Sequence, residues 1–373
     1  MDDKVYIYRC ESYNKEALRP VIDDYFTGCD VFNGKKVLLK PNMLQAHDPS
    51  ENVTTRPELV ETVAEYIIDN GGTCAVGDCP SGRGRENVIA AAEKTGFLGI
   101  CRRLNIEFEH FEGQDMIPVE VKNGRIYEKI FLAANYFKYD IVVNMPKLKT
   151  HGLTVFTLGV KNMMGLIPGL GKSDMHRKAT RTEDFVGALA DLYSVVKPAY
   201  TILDAVEAMH GSGPVGGSTI KLNRIFISQD ANALDAVAED MCGIDPHKVR
   251  LTREIANRSL GNIDNIVTVK KYDEADNEFA EFKVPILPSL GEIVPGWVAA
   301  ILSFLLRTRP SVKKNTCVKC GKCSEVCPAD AVAYSSSGYP VFNVDICVRC
   351  FCCAERCPKS AIVEKKNWLA WYL

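Results

Sequence analysis

Nine of the fifteen cysteines lie between Cys317 and Cys357, and eight of them repeat one pattern. The first copy is Cys317-x-x-Cys320-x-x-Cys323-x-x-x-Cys327-Pro328, the second Cys347-x-x-Cys350-x-x-Cys353-x-x-x-Cys357-Pro358. A structural zinc takes four thiolates and has no need of this register or of the proline after each fourth cysteine. Iron–sulfur chemistry does need it. Three thiolates at a two-residue spacing wrap a short loop around three irons of a cube, and the fourth iron takes its ligand from the other copy. The spacing assigns Cys317, Cys320, Cys323 and Cys357 to one [4Fe–4S] cluster, and Cys327, Cys347, Cys350 and Cys353 to a second. Cys352 is left over as an unligated or packing thiol. Ala329–Asp330–Ala331–Val332 and Lys359–Ser360–Ala361–Ile362 follow each Cys-Pro in register, so the duplication runs past the ligands.

Charge fits this assignment. From Ser311 onward nine Lys or Arg stand against five Asp or Glu, a net of +4. A cluster with four thiolates is anionic, so two of them offset that excess. Nearby positive charge should also raise their potential. Such clusters move single electrons. The expectation is therefore two [4Fe–4S] clusters, a redox partner protein, and an oxygen-sensitive relay suited to an anaerobic or well-reduced cytoplasm.

A second set of candidates lies upstream. Leu39-Lys40-Pro41-Asn42-Met43, Gly77-Asp78-Cys79-Pro80-Ser81-Gly82 and Asn144-Met145-Pro146-Lys147-Leu148-Lys149-Thr150-His151-Gly152 each leave a predicted strand. Gly159-Val160-Lys161-Asn162-Met163-Met164-Gly165 and Met209-His210-Gly211-Ser212-Gly213-Pro214 are similarly polar. In open α/β sheets, ligands bind beyond the carboxyl ends of the strands. Lys40, Asn42, Lys147, Lys149 and Lys161 are thus candidates for binding a small anionic ligand in one pocket. Asp78 and His151 are candidates for acid–base work there. A lysine just past a strand end is ordinarily solvated. Recurrence at several strand ends is what singles these out.

The elements that must hold these residues alternate. Val5–Tyr8, Lys36–Leu39, Cys74–Gly77, Asp140–Asn144, Tyr200–Ala205 and Arg224–Ser228 read as strands. Lys15–Phe26, Arg56–Asn70, Glu86–Leu104, Leu153–Met164, Thr182–Val196, Asn232–Met241 and His247–Ser259 read as helices. Lys122–Asn123–Gly124 is a hairpin signal that would make the sheet mixed. The fold class is α/β, with a mixed, mostly parallel sheet and flanking helices, plus a small α+β ferredoxin-like C-terminal domain. The expected division is an α/β domain at 1–272, a Pro-rich connecting segment with a helix at 273–312, and the two-cluster domain and tail at 313–373. The Trp297–Leu306 helix and the Trp368–Leu373 tail are read as packing elements.

Composition excludes several classes. The 373 residues are 46% hydrophobic and 25% charged, with a net charge of -2. A nucleic-acid binder would show a basic excess. The start MDDKVYIYRC lacks a basic and then apolar leader. The longest apolar run, Ile293–Leu306, is short of the roughly 20 residues that span a bilayer. A soluble, cytoplasmic protein with no transmembrane segment follows. Gly165–Ser173 resembles a P-loop, but Leu166 stands where Walker A needs glycine. Cys74 and Cys79 are spaced as core or loop thiols. His176 reads as a surface or capping residue.

Taken together, KPN, GDCPSG, NMPKLKTHG, GVKNMMG and HGSGP, followed by the duplicated cysteine run, resemble one family. It is the uncharacterised iron–sulfur family designated domain of unknown function 362, and the resemblance covers essentially the whole chain. It implies the clusters and no particular reaction. The leading expectation is an iron–sulfur oxidoreductase or electron-transfer protein. It would pass electrons through two clusters to or from an anionic ligand of the α/β domain. A non-enzymatic carrier or adaptor docking onto a larger redox complex is the alternative. A non-redox enzyme with structural clusters is a third reading.

Overall fold

The computed structural model describes residues 4–80, 84–179, 181–272, 279–284, 309–348, 350–359 and 361–365. The predicted Trp297–Leu306 helix and Trp368–Leu373 tail lie outside the described residues. The chain divides into two units, Met1–Val284 and Pro285–Leu373.

In the first unit, β1 (Val5–Arg9) leads into α1 (Lys15–Phe26). The alternation continues through β2 (Lys36–Pro41), α2 (Pro57–Asp69), β3 (Thr73–Gly77), α3 (Arg85–Lys94), α4 (Phe97–Leu104) and β4 (Glu107–Glu109). A hairpin, β5 (Met116–Glu120) and β6 (Lys129–Ala133), precedes β7 (Ile141–Met145), β8 (Lys147–His151) and β9 (Val155–Thr157). Then come α5 (Gly159–Asn162), α6 (Gly169–Lys178), α7 (Thr182–Val195), β10 (Tyr200–His210), β11 (Ser218–Ser228), α8 (Ala231–Met241), α9 (Arg250–Asn257) and β12 (Thr268–Lys271).

Local chemistry accounts for the helices. Asn14 caps α1 by accepting from Ala17 N–H, and Leu18, Val21, Ile22 and Phe26 form its buried stripe. Pro57 opens α2, whose Leu59, Val60, Val63, Ala64 and Ile67 are buried.

The main sheet has the order β12-β1-β11-β10-β7-β2-β3-β4, with β8 on β10 and β9 on β8. Pairs β2/β3, β2/β7, β3/β4, β10/β7, β10/β8 and β1/β12 are parallel. Pairs β1/β11, β10/β11 and β8/β9 are antiparallel. This is the mixed, mostly parallel sheet expected. Both faces are covered, as period-two alternation requires. Ile202 and Ile225 face the core containing α1 and α2, while Leu203 and Phe226 face the core containing α8.

Four expectations are corrected. The predicted Glu86–Leu104 helix is two helices, broken where Gly96 takes φ 84°. The predicted Leu153–Met164 helix is β9, the single turn of α5 and a 3-10 turn at Met163–Leu166. The predicted His247–Ser259 helix is a 3-10 turn at Pro246–Lys248 followed by α9. The β5/β6 hairpin forms, but as its own two-stranded sheet. Mixed character comes instead from the antiparallel pairs β1/β11, β8/β9 and β10/β11, the last running on to His210 and back from Ser218, well past the predicted strands. His176 lies inside α6, stacked on Phe185 at 4.7 Å.

In the second unit, β13 (Arg309–Val312) pairs antiparallel with β16 (Ile362–Lys365), and β14 (Val332–Tyr334) with β15 (Pro340–Phe342). Single-turn helices α10 (Lys322–Glu325) and α11 (Cys352–Glu355) occupy matching positions in the two copies.

Candidate functional site

The duplicated run closes into two thiol-lined cavities. Cys317, Cys320, Cys323 and Cys357 line one; Cys327, Cys347, Cys350 and Cys353 line the other. Each takes three cysteines from one copy and one from the other. Both copies turn the same way: Gly321 (φ 83°) precedes α10 and Phe351 (φ 57°) precedes α11. A left-handed phenylalanine costs roughly 1–2 kcal/mol, so the loop geometry outweighs that residue's preference.

The donor set fits a cluster better than one ion. Four thiolates around a zinc would stand about 3.8 Å apart. In neither set do three sulfurs lie within 4.8 Å of one another, among the described residues. Two more donors point at sulfur. Ala331 N–H donates to Cys327 Sγ at 3.2 Å and Ala361 N–H to Cys357 Sγ at 3.1 Å, matching positions in the repeat. Such bonds help set a cluster's potential. Burial pushes the Cys353 thiol up, with neighbouring thiols adding to it. Its thiolate therefore calls for metal charge nearby. Cys352 is buried and lines neither cavity.

In the first unit only Lys40 sits at the carboxyl end of its predicted strand, in β2; Lys147 opens the further strand β8, Lys149 lies within it and Lys161 is on α5, and each is engaged. Lys40 is fully buried and donates to Asp78 at 2.8 Å and to Pro41 O at 2.9 Å. Lys147 is fully buried and donates to Asp204 at 3.0 Å and Tyr13 Oη at 2.9 Å. Burial pushes both ammonium groups down, opposed by the paired carboxylates. Lys149 donates to Val53 O at 2.6 Å. Lys161 on α5 is half-buried and also has partners. Asp78 further accepts from Met43 N–H and Cys79 N–H. His151 Nδ1 accepts from the N–H groups of Leu153 and Thr154.

The structure joins the motifs through asparagines rather than lysines. Asn42 donates to Asn162 at 2.9 Å, Asn162 to Asn144 at 2.8 Å, and Asn144 to Gly159 O at 2.9 Å. KPN, NMPK and GVKN thereby meet in one buried chain of amides. Asn144 and Asn162 stand inside quoted motifs; their shared residue type was the available signal. Gly165 closes over the Lys40–Asp78 pair, and a Cβ there would meet Asp78 Oδ1 and Lys40 Nζ. Gly165→Ala is expected to destabilise the unit by roughly 1–3 kcal/mol. Thermal unfolding measures this, and an unchanged Tm would show that the pair yields freely.

Two near-misses are explained by their partners. The N-terminus of α6, in the P-loop-like stretch, is already met by Glu112, which accepts from Gly169 N–H. Cys74 and Cys79 are buried, which pushes both thiols up to about 12.

Asp235 on α8 anchors the start of α5, accepting from Gly159 N–H at 2.7 Å and Val160 N–H at 2.9 Å. Burial pushes its carboxyl up to about 8; the two N–H bonds oppose this and Asp230 adds to it. The folded state therefore keeps a proton that the unfolded chain loses near pH 4. This contribution is fully present below the unfolded pKa and is lost as pH rises towards 8. The expected slope is roughly 1.4 kcal/mol per pH unit. Asp235→Asn should flatten the slope in denaturant titrations across that range, and a slope unchanged in the variant would place its origin elsewhere.

Sequence reasoning missed Tyr13, Arg56 and Asp204. Asp204 accepts from Tyr13 Oη at 2.7 Å, Lys147 Nζ at 3.0 Å and Arg56 N–H at 3.0 Å. Tyr13 also accepts from Glu207 N–H at 3.0 Å. The Arg56 guanidinium lies 4.5 Å from the centre of the Tyr13 ring. Above this cluster is an open cavity of about 470 Å³ whose lining includes Tyr13, Arg56, Glu58, Glu207 and Lys221. That size is within the range of small-molecule pockets.

Comparison with known proteins agrees with both halves. Residues 37–240 match the model of a domain of unknown function (DUF362). Residues 316–362 match a 4Fe-4S dicluster domain, which makes iron–sulfur electron transfer the chemistry of this region. A thylakoid-associated protein of Synechocystis sp. is 33% identical over 214 residues, 57% of this chain and 64% of that relative. The chain thus spans less than two thirds of the relative's length. Among the described residues no helix is long and apolar enough to cross a membrane.

Proposed function

We propose, for a chain that belongs to the DUF362 family and carries a 4Fe-4S dicluster domain, that it is an iron–sulfur oxidoreductase with two clusters. Cys317, Cys320, Cys323 and Cys357 would hold one [4Fe–4S] cluster, and Cys327, Cys347, Cys350 and Cys353 the other. When bound, each supplies a one-electron couple. The observation that carries this reading is the crossed lining of the two cavities. A redox partner protein, a cytoplasmic location and an anaerobic setting belong to the same reading.

The α/β unit would bind the small anionic ligand. Lys40 and Lys147 are committed to buried carboxylates. In this reading Lys40, Asn42, Lys147, Lys149 and Lys161 shape the strand ends, and Asp78 and His151 hold the adjoining loops. Contact with the ligand falls to Lys221 in the open cavity and to Arg56, which the ligand would share with Glu58 at 3.3 Å and Glu207 at 3.8 Å. Lys147 does not line that cavity and reaches it only through its hydrogen bond to Tyr13 Oη. The same commitment of the lysines favours the second reading, a carrier or adaptor without its own substrate.

Anaerobic purification followed by native mass spectrometry tests the proposal. The expected result is iron and sulfide for two clusters, with a small anion lost on Arg56→Ala. Zinc in place of iron would overturn the cluster reading. Full cluster content with a bound protein and no small ligand would favour the carrier. Recovery with membranes on fractionation would overturn the cytoplasmic assignment.

A further inference from the structure

The two cavities differ in lining, and the difference identifies a docking partner, an inference that rests on the two-cluster reading. Lys319, Lys322 and Lys359 line the cavity of Cys317, Cys320, Cys323 and Cys357. The described lining of the other is apolar, with Val332, Phe342 and Phe351 among its walls. The repeat accounts for part of this. Where one copy has Lys322, the other has Cys352, and where one has Lys359, the other has Ala329; Lys319 is matched by another basic residue, Arg349, which lies outside the described residues.

Tyr339 places two of the lysines. Lys319 Nζ stands 4.5 Å from the centre of the Tyr339 ring and Lys314 Nζ 5.5 Å, so one aromatic ring holds two cations near this rim. Among the described residues none of Lys314, Lys319, Lys322 and Lys359 has a carboxylate partner. Glu325 Oε1 lies 4.0 Å from the Cβ position of Gly321, an opposing charge on the same rim. Cys320 is exposed here, and Val318 beside it is 57% exposed. An apolar spot bordered by these lysines suits a small, transient redox interface, where charge steers encounter more than it adds affinity.

We propose that this lysine rim is the docking surface for an acidic one-electron carrier protein, which exchanges electrons with the chain at the Cys317, Cys320, Cys323 and Cys357 site. One electron leaves the carrier's reduced centre and arrives at this site, or the reverse. No bond forms or breaks and no proton moves.

The test uses the full-length, cluster-loaded protein, with flavodoxin as an acidic probe and cytochrome c as a basic one. Calorimetry reads binding at low and high salt. Flavodoxin should bind at low salt and weaken by about tenfold or more as the Debye length shrinks. Cytochrome c should bind far less tightly. The triple variant Lys319→Glu, Lys322→Glu, Lys359→Glu should lose about tenfold in flavodoxin affinity and most of the salt slope, at unchanged iron content. Should that variant lose iron, Lys359→Gln carries the comparison.

No flavodoxin binding, binding indifferent to salt, or preference for cytochrome c overturns the proposal on the unmutated protein. Equal capture by anionic lipid vesicles overturns a protein as the occupant. A preparation without iron for two clusters fails the underlying reading instead, so iron content separates the two failures.

Discussion

Removing iron is expected to unfold the C-terminal unit and leave the α/β unit folded. The described core of the smaller unit is slight: its one hydrophobic cluster has Cys353, Cys357, Ala361 and Ile362 as buried members, and two of the four are proposed ligands. Its strands are three or four residues long and pair only two by two. Isolated hairpins of that size are marginal in water, and domains this small commonly need metal or disulfides. Ligand binding would then be inseparable from folding. Chelation under oxidising conditions, followed by limited proteolysis, should give cleavage confined to the region after Val284. The α/β unit should keep its unfolding transition. A C-terminal unit that stays protease-resistant without iron would show that its thiols, not a cluster, hold it together.

Asp204→Ala should destabilise the α/β unit by roughly 3–5 kcal/mol, the usual result of stranding one partner of a buried pair. Three donors converge on this carboxylate: Lys147, Tyr13 and Arg56 N–H. Burial alone already lowers the Lys147 pKa, and Asp204 is the main opposing influence. Without it the folded state would release the Lys147 proton at still lower pH, while the unfolded chain holds its own to about 10.4. The loss should therefore be largest near neutrality and shrink as pH rises towards that value. Replacing both partners, as Lys147→Met with Asp204→Leu, should recover much of the stability. Urea unfolding at neutral and alkaline pH measures all three. A double variant no better than Asp204→Ala would mean that Tyr13 and Arg56, not the lysine, need the carboxylate.

Features that depend on neighbours along the chain were legible in the residues alone. Helix α1 is legible because its cap, Asn14, and its apolar stripe lie within thirteen residues of one another. The thiol sets are legible for a similar reason. Each loop supplies three ligands two residues apart, and a repeat supplies the fourth. Broken helices were less legible, since Gly96 terminates one helix and opens the next without disturbing the apolar spacing.

Tertiary structure alone decided what the strand-end lysines do. Lys40 meets Asp78 from 38 residues away and Lys147 meets Asp204 from 57. Those partners follow from sheet order and register. Asp204, inside a predicted strand, lies directly across from Lys147 because the unpredicted strand β8 begins at Lys147 and runs parallel beside β10. A lysine at a strand end looks the same in sequence whether it awaits an anion or already has a carboxylate. Desolvation settles which. A buried ammonium without a partner is too costly to keep, so the fold that buried Lys40 and Lys147 also had to bring them acids.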